Sequence, residues 1–310
     1  MNFTLHQLNV FGMVAAQGSM TRAANQLHMT QPAVSIQIKQ LQDSIGVPIL
    51  EQVGRRLYLT EAGELLYEVY KSVNGELESF DAAVSQIKGG LRGILTISAA
   101  STAKYFLPYL LGEFQKRYPS VEISLKVTNR DEVLRHLEEN EYNLAILTQV
   151  PKDRSIKSVS FLENPLVMCA PPGHPLKDEK KISLAALKNE SFIFREPGSG
   201  TRMVMESILK KERIQPDIAM ELGTNEAVKQ AIMAGIGISL ISSLSLQSEE
   251  KLNRIRTLDI KDFPVKTNWH ILYKKNKNLT PVTQNFLNFL TEEKLNHYLP
   301  AFPGEEILSA

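Results

Sequence analysis

The sequence predicts a multidomain α/β chain: a small, all-α-type winged helical unit over residues 1–60, one long helix over 61–90, and a two-lobed α/β unit over 91–310. Three observations carry this. Up to residue 46, apolar residues recur at three- and four-residue spacing between strong helix caps. A near-heptad apolar stripe runs from Leu66 to Ile87. From residue 91, short apolar strands alternate with amphipathic helices, twice over. A length of 310 residues agrees with about two to three domains.

Thr4 can cap a first helix whose apolar positions Leu5, Leu8, Phe11, Val14 and Ala15 share one face, with Gly18 suited to a left-handed stop. A short second helix follows in SMTRAANQL, where Ala23 and Ala24 allow close packing. In the third, TQPAVSIQIKQLQDSIG, Thr30 caps, Pro32 falls in the first turn where no internal hydrogen bond is lost, and Gly46 ends the helix. At 100° per residue, Val34, Ile38, Leu41 and Ile45 fall within about 60° of arc and face the core. The opposite side presents Gln31, Ser35, Ile36, Lys39 and Gln40. Amides, a hydroxyl, a cation and one aliphatic chain match what base edges in a major groove require; a solvated polar face is the alternative. The stretch PILEQVGRRLYLT reads as two strands around Gly54-Arg55-Arg56, a wing whose arginines can lie beside phosphates. Two helices, a capped third helix and a basic hairpin make a winged helix-turn-helix.

Thr60 then caps the long helix, with Glu61 and Glu64 in its first turn and Gly89-Gly90 at its end. The stripe Leu66, Val69, Val73, Leu77, Phe80, Val84, Ile87 is narrow, which suits a partner helix and hence a dimer seam. Packing of one side on its own chain is the alternative.

Beyond residue 91 the strands ILTIS, VEISLKV and NLAIL are interleaved with helical segments, which implies parallel strands covered by helices. Pro108, in TAKYFLPYLLGEFQKRY, lies in a first turn or kinks a helix. A second cycle covers about 162–266, and the chain returns through NWHILY and a Pro-started helix to the first half. This gives lobe I as about 91–161 with 267–310, and lobe II as about 162–266. Such a double crossover resembles the fold of periplasmic solute-binding proteins, whose ligands sit at strand C-terminal ends between the lobes. Five loops at such ends are rich in polar groups: Ser101 and Thr102; Thr128 and Asn129; Thr148 and Gln149; Thr224 and Asn225; and REPGSGTR. In the last, Gly198 and Gly200 let backbone amides approach a ligand, and Ser199 and Thr201 offer hydroxyls. A helix starting near Thr201 points its positive end there, and Arg195 and Arg202 add charge. A small carboxylate or phosphate is the implied ligand, with no resident cofactor or metal. The alternative is that the glycines merely cap helices and an arginine pairs with Glu196 or Glu206.

Composition is that of an ordinary soluble protein, 43% hydrophobic and 22% charged, with a net charge of only +1. Residues 1–60 carry Arg22, Lys39, Arg55 and Arg56 against Asp43 and Glu51, so DNA binding rests on the motif rather than on charge. No secretory leader or uninterrupted apolar span is visible, which predicts a cytoplasmic protein without membrane contact. Cys169, the single cysteine, reads as a buried inert thiol, and His174, in PPGHPL, as a surface residue. The six histidines are scattered, and there is no nucleophile elbow or phosphate loop, so an enzyme is disfavoured. An intracellular solute-binding protein would need no reading helix.

The segment from Ala15 to Gly63 resembles the LysR-type transcriptional regulators. The resemblance is carried by Ala23-Ala24, Leu27, Thr30 to Ser35, Leu41, Gly46 and Leu59-Thr60-Glu61-Ala62-Gly63, and the order of parts matches along the whole chain. It implies a helix-turn-helix over residues 20–39 that binds double-stranded promoter DNA. It also implies a homodimer through the long helix, pairing of dimers into a tetramer by the effector domains, and contact with RNA polymerase. Arg22, Thr30 and Pro32 join the DNA-facing set. The chain departs from the family at Gln42, where Glu is usual, and at Leu50-Glu51-Gln52, where Phe-x-Arg is usual. STAKYFLP, NRDEVLRHL and FREPGSGTRMVMES are similar to the branch that controls carbon-fixation (RuBisCO) operons.

Overall fold

A computed structural model describes residues 2–53, 56–87 and 90–299. The chain divides into two compact units, Met1–Asp81 and Ala82–Ala310. In the first, Thr4 closes a capping box: Gln7 N donates to Thr4 Oγ1 at 3.2 Å and Thr4 N donates to Gln7 Oε1 at 2.9 Å. Helix α1 (Leu5–Gln17) ends at left-handed Gly18, α2 (Met20–Gln26) is capped by Ser19, and α3 (Gln31–Ile45) is capped by Thr30 with Pro32 in its first turn. Val10, Phe11, Val14, Ala23, Val34 and Leu41 are fully buried between the three helices. Ile45, predicted for the same face, is only partly buried at the rim. Strands β1 (Leu50–Val53) and β2 (Arg56–Leu59) pair antiparallel as the wing. Gly54 and Arg55, at its tip, lie outside the described residues, as does Gly89.

The helix α4 (Glu61–Ile87) is locked to the wing at its start. Thr60 Oγ1 donates to the Pro48 carbonyl at 2.7 Å and accepts from Gly63 N at 3.1 Å. A Cβ on Gly63 would lie 2.0 Å from the Ile49 carbonyl oxygen, so only glycine allows this approach. The predicted stripe is divided along its length. Leu66 is buried in the head's own core, and Tyr67, Tyr70 and Val73 pack against it, whereas Leu65, Val69, Leu77 and Phe80 are exposed. The start of α4 therefore closes the three-helix core, and Leu77 and Phe80, farther along, are uncovered. The first compact unit accordingly includes most of this helix, to Asp81.

In the second unit, lobe I is a five-stranded sheet ordered β4-β3-β5-β12-β6, in which β6 is Ile156–Glu163 and β12 is Asn268–Lys274. Strands β3 (Gly93–Ala100), β4 (Val121–Thr128) and β5 (Leu144–Leu147) are parallel, as the alternation predicts. The predicted helix after β3 is split: Ser101–Tyr105 is a 3-10 turn and α5 (Leu107–Arg117) carries Pro108 in its first turn without a kink. Asn129 caps α6 (Arg130–Glu138). The core is aromatic, with the Phe106 and Trp269 rings 4.9 Å apart and Phe114 edge-on to Phe286 at 5.0 Å.

Strand β6 (Ile156–Glu163) leads into lobe II, where β7 (Leu166–Ala170) and β8 (Ser191–Arg195) precede α7 (Gly200–Lys211). The lobe continues through β9 (Asp217–Leu222), α8 (Asn225–Met233), β10 (Ser239–Ser242), α9 (Gln247–Lys251) and β11 (Arg256–Thr257). The chain returns to lobe I through β12 (Asn268–Lys274) and α10 (Pro281–Glu292). Here the parallel expectation holds for β8 with β9, and for β8 with Ile238 just before β10. Strand β7 is antiparallel to β10 and β11, and β12 is antiparallel to β5 and β6. A strand entering a lobe across the cleft begins where that lobe's parallel strands end, so it must run the other way. The two crossings are tied at Asn164, which donates from N to Thr267 O at 2.8 Å and from Nδ2 to Thr267 Oγ1 at 2.9 Å, and accepts from Ser242 Oγ at 2.5 Å.

Cys169 is fully buried, and burial pushes its thiol far above the ordinary range. His174 is also buried rather than superficial: its Nδ1 accepts from Leu176 N at 3.2 Å and its Nε2 lies 3.2 Å from Glu190. The Pro/Gly turn folds inward because the imidazole replaces a backbone acceptor there.

Candidate functional site

On α3 the predicted face is exposed at Gln31, Pro32, Ile36, Lys39 and Gln40, and Ser35 is half-buried. Ile36 is 55% exposed in the middle of this face; a single exposed aliphatic chain is ordinary on a surface, but at this position it is able to meet a thymine methyl. Two members of the set have structural partners. Gln40 accepts from Gln7 Nε2 at 3.2 Å, and Arg22 donates to the Gln17 carbonyl at 2.5 Å, capping the end of α1. Thr30 serves α3 itself, accepting from Ala33 N. Arg56 begins β2, but its side chain and all of Arg55 lie outside the described residues. At the departure from the usual family residue, Gln42 Oε1 accepts from Ile49 N at 3.3 Å, a bond for which the amide's carbonyl suffices.

The second site is the cleft between the lobes, where the C-terminal ends of β3, β5 and β8 converge. From the predicted loops, Ser101, Thr102, Asn129 and Thr148 line it on one side and Arg195, Ser199, Gly200 and Thr201 on the other. The cleft is closed down to about 30 Å³, room for roughly one water. Direct bonds span it: Arg195 donates to Ser101 Oγ at 3.2 Å, and Asn225 Nδ2 donates to Thr102 Oγ1 at 3.3 Å. The loop glycines allow this closure. A Cβ on Gly198 would lie 2.8 Å from Asp131 Oδ2, and one on Gly200 would lie 2.6 Å from Thr148 Oγ1, packed beside Gln149.

The charges are arranged differently from the sequence expectation. Arg195 is 4% exposed and fully engaged: Glu196 accepts from its Nε at 2.7 Å and from Nη2 at 2.8 Å, and Asn225 Oδ1 accepts from Nη1. Arg202 turns away from the cleft to Glu206 at 2.7 Å, Glu221 at 2.5 Å and the Arg195 carbonyl at 2.8 Å. Both arginines thus take the carboxylate partners that the alternative reading named. Thr224 caps α8 and is exposed, and Thr128 ends β4 without lining the cleft. Ser199 is the N-cap residue of α7 yet makes no side-chain cap bond, and it is buried in the cleft wall.

Five lining residues were not among the predicted ones: Ala100, Arg130, Asn164, Glu196 and Trp269. Arg130 directly follows the predicted Asn129, and its position in the first turn of α6 was the available signal. Trp269 lies on the return strand, and only the tertiary crossing brings it here. Above the cleft, Tyr105 donates to Glu226, while Lys229, buried, reaches Glu226 at 3.1 Å and Glu249 at 2.8 Å. Burial raises the Tyr105 hydroxyl pKa strongly, and the bond to Glu226 raises it further. Among the described residues no His/Cys/Asp/Glu group is placed to hold a metal, and no helix is long and apolar enough to cross a membrane.

Known proteins agree with this division. Residues 5–64 match the family of bacterial regulatory helix-turn-helix proteins of the lysR type, and residues 88–294 match the LysR substrate binding domain. The HTH-type transcriptional activator CmpR of Synechocystis is 44% identical over 93% of this chain and 95% of its own length. The RuBisCO operon transcriptional regulator of Allochromatium vinosum is 39% identical over 94% and 97%. Among solved structures, the Synechocystis CcmR regulatory domain in complex with 2-PG is 41% identical, covering 64% of this chain and 96% of that one, with a TM-score of 0.62. Full-length CbnR complexed with its target DNA shares the fold, with a TM-score of 0.65 at 24% identity over 93% of this chain and 99% of that one.

Proposed function

The chain belongs to the LysR family of DNA-binding transcriptional regulators, and from that premise we propose that a small anionic metabolite bound between its lobes changes how it engages promoter DNA. The observation that carries this reading is the cleft, where hydroxyls, donors and the N-terminus of α7 converge between two lobes held together by direct hydrogen bonds. The regulatory domain of CcmR, similar over nearly its whole length, was solved with 2-PG, a ligand of this chemistry. No resident cofactor is needed. A ligand of that size exceeds the closed volume, so it must part the cross-lobe bonds or replace them. It can alter DNA binding only through unequal affinity for two arrangements; moving a 1:99 population to 99:1 takes about 5.5 kcal/mol in total.

In the reading unit, Gln31, Ser35, Ile36 and Lys39 enter a major groove, with Arg55 and Arg56 beside the backbone. Two copies pair through the exposed stripe of α4, next to a groove of about 270 Å³ lined by Leu5, Leu8, Val73 and Leu77. Dimers pair into a tetramer, and half-sites on one DNA face repeat at about 10 base pairs or multiples of it. The protein works in the cytoplasm, contacts RNA polymerase and binds its ligand without turnover.

The test is footprinting of the full-length protein across genomic promoters, with and without 2-phosphoglycolate. A sequence-specific footprint whose length or bend-sensitive positions change with ligand is expected. A dimer that prefers no fragment over bulk competitor would overturn the DNA role, and an identical footprint across all carboxylate and phosphate metabolites tried would overturn the ligand role.

A further inference from the structure

Arg195 and Arg202, the obvious cations of the ligand loop, are already neutralised by Glu196 and by Glu206 with Glu221. An anion could use Arg195 only by displacing a bidentate carboxylate from the adjacent residue. Two other donors of the same cleft are free of such competition. The Nε of Arg130 and the Nε1 of Trp269 are both buried without a hydrogen-bond partner among the described residues, and both residues line the cleft. Trp269 is 1% exposed. Among the described residues the one carboxylate within 4.0 Å of the Arg130 guanidinium is that of Asp131, at 3.5 Å from Nη1, a distance that leaves the guanidinium weakly held.

An indole N–H and a guanidinium N–H can donate and can never accept, so the group that satisfies them must be an acceptor. Buried donors in a folded protein are almost always paired, and an unpaired one marks a place for a water, an ion or a ligand group. Both lie in lobe I, on α6 and β12. In lobe II the facing donors are the first-turn amides of the 12-residue α7, beside Ser199, whose hydroxyl is not spent on capping. Resting on the function proposed above, we infer that Arg130 and Trp269 form the oxyanion subsite of lobe I. The effector is then a short molecule with two oxyanion groups, one held by this pair and the other by the start of α7, so that it bridges the lobes. Arg195 orders the wall through Ser101 and Asn225 and does not receive the ligand's charge.

The chain contains one tryptophan, so indole emission reports this subsite alone. The full-length protein is titrated with 2-phosphoglycolate, inorganic phosphate and glycolate, following emission and, in parallel, heat by calorimetry. Saturable change with 2-phosphoglycolate is expected, with Kd at least tenfold lower than for either single-ended probe. Arg130→Gln should raise that Kd at least tenfold, with partial recovery in Arg130→Lys. Trp269→Phe, which keeps the ring and removes only the donor, should raise it about threefold to tenfold by calorimetry. If both variants bind within twofold of the parent, the subsite is wrong; if phosphate alone binds as tightly as 2-phosphoglycolate, the bridging is wrong. If the parent protein itself gives neither heat nor a changed footprint with any anion, the function proposed above fails instead. Melting curves accompany each variant, and should Arg130→Gln unfold, Trp269→Phe decides alone.

Discussion

Individual side chains on α3 divide cleanly between those that hold the head and those left for a partner. Val34, Ile38 and Leu41 are buried, while Gln31 is exposed at the first position after the Thr30 cap, where a recognition helix meets base edges. Gln31→Ala should cost about 1–3 kcal/mol of discrimination between operator and mismatched duplex, the value of one bidentate contact, as measured by competition shift assays; equal weakening on both duplexes would remove Gln31 from the reading face. A different residue-scale constraint acts at Gly63. A Cβ there meets a backbone carbonyl at 2.0 Å, which cannot rotate aside. Gly63→Ala should therefore destabilise the head by about 1–3 kcal/mol, the usual cost of overpacking, seen as a lower melting temperature.

At the scale of elements, α4 shows that periodicity alone does not say what each apolar residue meets. Leu66, Tyr70 and Val73 close the three-helix core, while Leu65, Val69, Leu77 and Phe80 stay exposed. At about 100° per residue Leu77 lies on the same side as Leu66 and Tyr70, so spacing alone cannot say where along the helix that side passes from the head to open surface. Phe80, 65% exposed, lies beyond the part of the helix that packs on the head. Phe80→Glu should shift the sedimentation profile toward monomer and weaken operator binding, with little change in the melting of the isolated head's core; an unchanged dimer would place the seam elsewhere. The first turn of α5 gives the converse case. Pro108 fixes where that helix can begin, and the preceding residues fold into a 3-10 turn that brings Ser101 and Thr102 to the cleft.

For the molecule as a whole, the lobes are coupled by polar groups whose protonation sets an acid limit. Burial pushes the Glu226 carboxyl upward, but hydrogen bonds from Tyr105 and Lys229 outweigh it and hold the group below its usual 4.5. A depressed carboxylate contributes stability that is complete above the unfolded value and is lost as pH falls through the folded one. His270 is lowered from 6.5 by burial, so it stays neutral in the fold while the unfolded chain takes up a proton. Melting temperature should thus decline gently below about pH 6.5 and more steeply below 4.5. Glu226→Gln should lower stability at neutral pH and flatten the steep stage, as followed by thermal scans from pH 3 to 7. An unchanged acid limb in that variant would mean that the lobes are held by other bonds.

Three capped helices, a basic hairpin and two α/β cycles were legible in the order of residues, because helix caps, prolines and apolar spacing act within one or two turns of chain. The loops that line the cleft were legible too, since strand C-terminal ends follow from the alternation. What only the tertiary structure decided is which donors are left over: Arg195 and Arg202 take neighbouring carboxylates that the sequence already offered, while Arg130 and a tryptophan 139 residues downstream line one cleft as donors without a partner among the described residues. The direction of β7 and β12 and the division of α4 between the head and open surface were settled at the same level. The physical reason is common to all three. Which buried donor lacks an acceptor, which way a strand runs and what an apolar stripe meets depend on groups brought together across the fold, and local propensity carries no information about separation in space.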